Sequence, residues 1–213
     1  MAAGESVDAH DPGTPGPASR IAERAQRRRE AGCGTPDADE SPLTEATPSP
    51  FAHAGGEPRI EGADGAPVVI VHADFSCPDC ALALHRLAGL EIRIDLRHFV
   101  LRSRGEPAAR AAHAAEAAGA QGAFWPFARG LLADQGRQDP PHLWALAQSL
   151  GLDVDRFDAD RRAESASERI ARETRQAITG GAVGVPAVFA DPPTADFLVR
   201  SGYDADVRIR RQK

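Results

Sequence analysis

The stretch Val68-Val69-Ile70-Val71-His72-Ala73-Asp74-Phe75-Ser76-Cys77-Pro78-Asp79-Cys80 joins an apolar run to a pair of cysteines. A strand is predicted over residues 67–75, because Val68-Val69-Ile70-Val71 is a continuous β-branched run, apolar on both faces, which suits a central strand covered by helices. Residues 81–87 have helical spacing, and Gly89 stops the helix. Because proline is well placed in the first turn of a helix, we expect Cys77 to lie at the start of this helix.

A second strand is predicted over residues 91–100, where apolar and charged side chains alternate. We expect its apolar face to be buried and its charged face, with Arg93, Asp95 and Arg97, to be more exposed. The order strand, helix, strand predicts a parallel pair with a right-handed crossover between the two strands.

The rest of the chain is predicted to be helical and then to return to strands. Helices are expected over residues 106–118, 123–135, 141–150 and 155–162, and after a capping box formed by Ser165 and Glu168. Strands are expected over 187–189 and 197–199, joined as a β-hairpin through residues 191–193, and a final short helix over 204–211.

The composition changes near residue 62. The first 62 residues hold 8 of the 17 prolines and 8 of the 20 glycines and few large apolar side chains. Such a segment buries too little surface to offset its ordering entropy, so residues 1–57 are expected to be a disordered arm before a folded domain over 58–213. Cys33 falls in this arm and is expected to be an idle surface thiol.

The charge and hydropathy of the chain argue against some classes of function. The formal net charge of −6 argues against a general nucleic-acid binder. No apolar run is long enough to cross a bilayer, so we expect no membrane insertion. The residues from Met1 to Glu5 lack the basic start and apolar core of a secretory signal, which leads us to expect a cytoplasmic protein.

The spacing of Cys77 and Cys80 predicts a redox dithiol. At a helix start the first thiol faces free N–H groups and the positive end of the helix dipole, which favour the thiolate. We expect Cys77 to be an exposed nucleophile and Cys80, one turn inward, to be the shielded resolving thiol. Two alternatives stay open for this pair of cysteines: half of a zinc site, which would need two further ligands, and a buried structural pair.

The same residues resemble the opening of DsbA-like thioredoxin-fold oxidoreductases. Further matching segments follow in the right order, at 97–99, 114–118, 121–125, 151–153 with Phe157, and 184–186. The chain also resembles the DsbA-like domains that are fused behind some sodium/proton antiporters. The resemblance implies an α/β thioredoxin fold with an all-helical domain inserted between the second and third strands, over about residues 104–180.

Roles can be carried over by position from this resemblance. It implies that Cys77 attacks and Cys80 resolves, and that Pro186 is a cis-proline with Val185 presenting backbone groups to a bound peptide. The dipeptide Pro78-Asp79 is expected to tune the pKa of the dithiol. The charge of Asp79 would disfavour a nearby thiolate and make Cys77 less acidic than in strong oxidants.

The sequence therefore predicts a thiol-disulfide oxidoreductase that exchanges electrons between Cys77 and Cys80 and protein or small-molecule disulfides. The expected partners are these disulfides and a thiol reductant, and no cofactor or metal is expected. The alternative is a non-catalytic, redox-sensing module that binds another protein. His98 and His85 are expected to be structural or solvated histidines that take no part in the chemistry.

Overall fold

A computed structural model describes residues 59–101, 103 and 105–203, together with the backbone of residues 207–209. The expected arm, residues 1–57, and Cys33 lie outside these described residues. The described chain contains one sheet of five strands: β1 Ile60–Glu61, β2 Val68–Ala73, β3 Arg93–His98, β4 Ala187–Ala190 and β5 Val207–Ile209. Its helices are α1 Pro78–Ala88, α2 Gly105–Gly119, α3 Phe124–Ala133, α4 Pro140–Ser149, α5 Val154–Asp160, α6 Glu164–Thr179 and α7 Pro192–Arg200.

The sheet has the order β1-β3-β2-β4-β5, with β2 at its centre. β2 pairs in parallel with β3 and antiparallel with β4, so that Ile70 lies beside Asp95 on one side and Phe189 on the other. β1 and β5 add an antiparallel and a parallel edge. The continuous β-branched run predicted a buried central strand, and the burial of Val69 to Ala73 confirms it.

The helices α2 to α6 form an insertion between β3 and β4, as the resemblance implies. Alanines make up most of the buried face of α2, and Ala111, Ala114 and Ala115 have no exposed surface. Small side chains let neighbouring helices approach closely, and larger rings fill the space beyond them. The rings of Phe127 and Phe157 lie 5.4 Å apart in this layer, and both are fully buried.

The segment after β4 is a helix, so the predicted β-hairpin over 191–199 is wrong. Asp191 caps α7 by accepting a hydrogen bond from the Thr194 N–H at 3.0 Å, and prolines occupy the first turn. Ala195 and Leu198, three residues apart, are buried on one face. The apolar run 197–199 that suggested a strand is therefore part of an amphipathic helix, which leaves Val199 exposed.

Three other local predictions are wrong. Residues 207–209, expected in a helix, form β5 beside β4. The capping box fails because α6 begins at Glu164 after Ala163, and no side chain caps it. The charged face of β3 is buried at Asp95 and Arg97 and half-buried at Arg93, since Arg97 donates to Asp95 at 2.8 and 3.0 Å, and Gln176 of α6 accepts from Arg97 at 3.3 Å.

Candidate active site

Cys77 is the residue that caps the N-terminus of α1, with Pro78 in the first turn. Its carbonyl accepts hydrogen bonds from the N–H groups of Cys80 at 3.1 Å and Ala81 at 3.3 Å, which are the first bonds of the helix. The predicted position at the start of a helix is confirmed. The thiol therefore lies where the helix dipole and free N–H groups favour a negative charge.

The loop between β2 and α1 is held by Asp74. The Cys77 N–H donates to the Asp74 carbonyl at 3.0 Å. The N–H and hydroxyl of Ser76 both donate to the Asp74 carboxylate, at 2.8 and 2.7 Å. These local bonds fix the turn that brings the chain from the central strand to the first cysteine.

The two cysteines are reduced, and both are buried. Cys77 is 1% exposed and Cys80 is 0% exposed, so the expectation that Cys77 would be an exposed nucleophile is wrong for this structure. The physical reason is that the cysteines and Phe75 belong to the main hydrophobic core, which also includes Phe124 of the helical insertion. The side chains of Cys77 and Cys80 nevertheless lie close enough to share a hydrogen bond.

The environment of Cys80 keeps its thiol protonated. Burial is the largest cause that raises the pKa of Cys80 far above its usual range. The negative charges of Cys77 and Asp74 raise it further, while a hydrogen bond with the Asp74 backbone opposes them. A shielded, protonated second thiol is what a resolving cysteine requires before the first has reacted.

A buried tyrosine lies near the same thiol. Tyr203 is 3% exposed, and burial raises the pKa of Tyr203 to about 12, with the charge of Cys80 adding to the shift and that of Arg86 opposing it. The phenol is therefore a neutral hydroxyl at physiological pH. No sequence pattern indicates this neighbour, because Tyr203 follows α7, far along the chain from the cysteines.

Val185 and Pro186 precede β4 on the side of the sheet where β2 ends. The register pairs His72 with Ala187, which places Pro186 next to the start of the Asp74–Cys77 loop. The Val185–Pro186 peptide bond is cis, which confirms the isomer that the resemblance implies. Val183, two residues earlier, is 88% exposed. The substrate-binding role of Val185 and Pro186, like the tuning role of the exposed Pro78 and Asp79, stays a prediction.

The two histidines on neighbouring strands are structural. His72 is fully buried with its ring edge-on to Phe189 at 5.6 Å, and burial followed by the charge of Arg97 lowers the pKa of His72 to about 3. His98 is buried and donates from Nε2 to Glu116 at 2.8 Å. His85, on the outer side of α1, is exposed.

A buried ion cluster lies against Phe124. One carboxylate oxygen of Glu116 accepts a hydrogen bond from the Arg59 guanidinium at 2.5 Å, and the other oxygen accepts one from Nε2 of His98. Burial opposes ionisation of Glu116, but the hydrogen bond from His98 and the charges of His98, Arg59 and Arg169 outweigh it and lower the pKa of Glu116 to about 2. A cavity of about 600 Å³ opens beside this cluster, and neither cysteine lines it.

Two glutamines of the helical insertion also contact the loop that carries Cys77. Gln135 and Gln138 donate from their side-chain amides to backbone carbonyls of that loop. The sequence did not predict these contacts. A polar residue after a helix is typical of a solvated turn, and a hydrogen bond to a backbone carbonyl does not depend on the type of residue that provides the carbonyl.

Metal-ligating side chains do not cluster in the described part of the chain. Within residues 59–101, 103 and 105–203, no three His, Cys, Asp or Glu side chains are grouped in a way that could hold a metal ion. None of the helices over the same residues combines the length and apolar character needed to cross a membrane.

Comparison with known proteins agrees with this geometry. Residues 91–196 match the family model for the DSBA-like thioredoxin domain. The chain contains a DSBA-like thioredoxin domain. The matched range begins after the two cysteines, so this match does not depend on the dithiol.

The chain is also similar to two sodium/proton antiporters. The chain is 35% identical over 154 residues to the Na(+)/H(+) antiporter NhaA of Herminiimonas arsenicoxydans, covering 69% of this chain and 24% of that protein. It is 40% identical over 142 residues to the Na(+)/H(+) antiporter NhaA 1 of Salinispora arenicola, covering 62% and 21%. The chain thus spans about a quarter or less of the length of these relatives.

Solved structures share the fold of this DSBA-like domain. A thioredoxin-like oxidoreductase from Silicibacter pomeroyi aligns with a TM-score of 0.60 and 24% identity, covering 70% of this chain and 94% of that one. The thiol-disulfide exchange protein alpha-DsbA2 from Wolbachia pipientis aligns with a TM-score of 0.55 and 17% identity, covering 62% and 74%. At these identities the likeness establishes the fold.

Proposed function

We propose that this protein is a thiol-disulfide oxidoreductase whose reacting groups are the thiols of Cys77 and Cys80. The observation that carries the proposal is the hydrogen-bonded pair of reduced cysteines at the N-terminus of α1, with Cys77 as the capping residue. The protonated Cys80 beneath it and the Val185–Pro186 segment beside it support the same assignment.

The proposed reaction transfers two electrons from the dithiol to a disulfide. The Cys77 thiolate attacks one sulfur of the substrate disulfide, forms a mixed disulfide and releases the first substrate thiolate, which takes up a proton. Cys80 then loses its proton and attacks the Cys77 sulfur. The mixed disulfide breaks, the second substrate thiol leaves, and the protein holds a Cys77–Cys80 disulfide.

A thiol reductant returns the protein to its dithiol form by the same steps in reverse. Asp79, in the first turn of α1, disfavours the thiolate and so favours a disulfide that is hard to reduce. Together with the cytoplasmic location that we propose, this supports a reductase, isomerase or relay role over net disulfide insertion. The proposed substrates are protein or small-molecule disulfides.

One observation favours a second function. Because Cys77 is only 1% exposed, a bulky protein disulfide cannot reach its sulfur without a local movement of the chain. A non-catalytic module that binds a partner, and whose surface changes when the dithiol oxidises, needs no such access. The two functions make opposite predictions about covalent capture of substrates.

Trapping through a Cys80→Ser variant separates them. In a Cys33→Ser background, the variant should accumulate mixed disulfides through Cys77 when incubated with oxidised peptide substrates, and dithiothreitol should release them. The matched control is the Cys77→Ser variant, which should capture nothing. If the Cys80→Ser protein captures no more than this control, the oxidoreductase proposal fails and the binding module is favoured.

A further inference from the structure

We infer that Gln135 and Gln138 are positioning residues that hold the loop bearing Cys77 closed and so limit access to its thiol. The inference rests on the proposed function, since it concerns the nucleophile of that reaction. Both glutamines follow α3, in the turn that leads to α4, and so belong to the helical insertion and not to the thioredoxin core.

The hydrogen bonds of these amides converge on one short piece of backbone. Gln135 donates from Nε2 to the carbonyl of Phe75 at 2.9 Å and to that of Cys77 at 2.8 Å. Gln138 donates from Nε2 to the same Phe75 carbonyl at 2.8 Å and to the carbonyl of Leu131 at 3.3 Å. The carbonyl of Phe75 therefore accepts two donors, which fill both of its lone pairs.

The burial of Phe75 and Gln138, with Gln135 half-buried beside them, makes the bonds costly to break. Phe75 is 3% exposed and Gln138 is 5% exposed, so a carbonyl that lost its donor here would not be reached by water unless the loop opened. Leaving a buried acceptor unpaired is more unfavourable than the bond alone would suggest, and this applies to the Phe75 carbonyl, since that of Cys77 keeps the N–H groups of Cys80 and Ala81 as donors. The loop can move away from the helical insertion only when three of these hydrogen bonds break together.

The same loop is fixed on its other side by Asp74, which bonds to the Cys77 N–H and to Ser76. Those bonds are local and move with the loop, whereas the glutamine bonds join it to a different part of the fold. Since Cys77 is 1% exposed, its sulfur meets a reagent only after such an opening. The glutamines therefore set how often the nucleophile is available, and they link that availability to the position of the helical insertion.

The rate of Cys77 alkylation tests this inference. The full chain, reduced, is treated with iodoacetamide, and Cys77 is followed by peptide mass mapping at several low concentrations of urea. Gln135→Met keeps the size of the side chain and removes two donors. Because the loss of one neutral hydrogen bond shifts the equilibrium for opening the loop by roughly fivefold, Cys77 in this variant should be alkylated about tenfold faster than in the wild type. The increase should persist in the absence of urea, and the rate should depend weakly on urea, as a local opening requires.

The matched control is Gln121→Met. The Gln121 amide also makes two bonds to backbone, both within the helical insertion: it donates to the Asp153 carbonyl and accepts from the Asp153 N–H, each at 3.0 Å. This variant should lower the unfolding temperature without changing Cys77 alkylation in the native state. If it accelerates alkylation as much as Gln135→Met, or if Gln135→Met alkylates at the wild-type rate, the inference is wrong.

A second variant covers the case in which Gln135→Met does not fold. Gln138→Met removes one donor from Phe75 and leaves the bond to the Cys77 carbonyl, so it should accelerate alkylation by a smaller factor, roughly fivefold. A wild-type rate in this variant would equally overturn the inference. Alkylation needs no redox turnover, so a failure of the oxidoreductase proposal in the trapping experiment is seen separately from a failure here.

Discussion

The backbone carbonyl of Asp74 accepts a hydrogen bond from the N–H of Cys77 at 3.0 Å, and the charge of the same residue acts on Cys80. Asp74 is 1% exposed, and its carboxylate is held by Ser76. One buried acid thus shapes the loop that presents the first thiol, and its charge adds a small part to the raised pKa of the second, which the hydrogen bond with its backbone lowers. The chemistry of the dithiol should respond to that acid.

Replacing Asp74 by asparagine should speed the resolving step. The substitution keeps an oxygen that accepts from Ser76 but removes the negative charge of Asp74, which is the smallest of the causes that raise the pKa of Cys80, after burial and the charge and hydrogen bond of Cys77. The Cys80 thiolate should form more readily, and the mixed disulfide should resolve about two- to threefold faster at neutral pH. Stopped-flow release of a coloured thiol from Cys77 measures this step.

Ser76→Ala is the control for this prediction, because it loses the hydroxyl bond to Asp74 and keeps the charge. Its resolving rate should match the wild type. A slower rate in Asp74→Asn would contradict the electrostatic role and would instead identify Asp74 as a base that takes the proton of Cys80.

Neutralising Asp79 should make Cys77 more reactive. Asp79 is exposed in the first turn of α1, so water screens its charge and the effect should be modest. In the Asp79→Asn variant, the midpoint of the pH profile for Cys77 alkylation should fall by less than about one unit.

Asp155→Asn provides the comparison, since Asp155 is an exposed acid in the first turn of α5. Its pH profile should coincide with that of the wild type. An unchanged or higher midpoint in Asp79→Asn would show that this charge does not tune the dithiol.

His72 should make the fold sensitive to acid in a defined window. Burial and the charge of Arg97 lower the pKa of His72 to about 3, whereas the unfolded side chain titrates near its ordinary value of 6.5. At pH values between these two pKa values, the His72 ring is protonated in the unfolded chain and neutral in the native chain. The stabilisation from the neutral ring is therefore complete above pH 6.5 and declines as the pH falls toward 3.

A His72→Phe variant should lose this dependence, since phenylalanine fills a similar space beside Phe189 and does not titrate. The measurement is the unfolding temperature between about pH 6.5 and about pH 5, a range in which carboxylates contribute least to the pH dependence of stability. His85→Gln, at an exposed position, should retain the wild-type slope. Equal slopes in wild type and His72→Phe would refute the prediction.

The core of the fold could be predicted because its signals are local. The run before Cys77 is apolar on both faces, and Pro78 follows the capping residue, so strand, loop and helix were each determined by neighbouring residues. The parallel partner strand followed from the same strand-helix-strand order. The resemblance then supplied the helical insertion between β3 and β4, which the structure confirms.

The errors arose where tertiary packing decided the outcome. The segment 197–199 looks like a strand by composition, yet the cap at Asp191 and the packing of Leu198 make it helical. Asp95 and Arg97 look solvated by alternation, yet α6 covers them and they pair with each other. The burial of Cys77 likewise depends on the helical insertion, which no pattern around the cysteines could indicate.

The reduction potential of the Cys77–Cys80 couple decides whether these two thiols form a redox-active pair. The Cys33→Ser protein is equilibrated with glutathione buffers of stated ratio, quenched with acid and analysed by mass and peptide mapping. The account predicts a single reversible transition, in which the protein loses two hydrogen atoms and the new bond joins Cys77 to Cys80. A protein that keeps both thiols in the most oxidising buffer, or that forms only glutathione adducts, would contradict it.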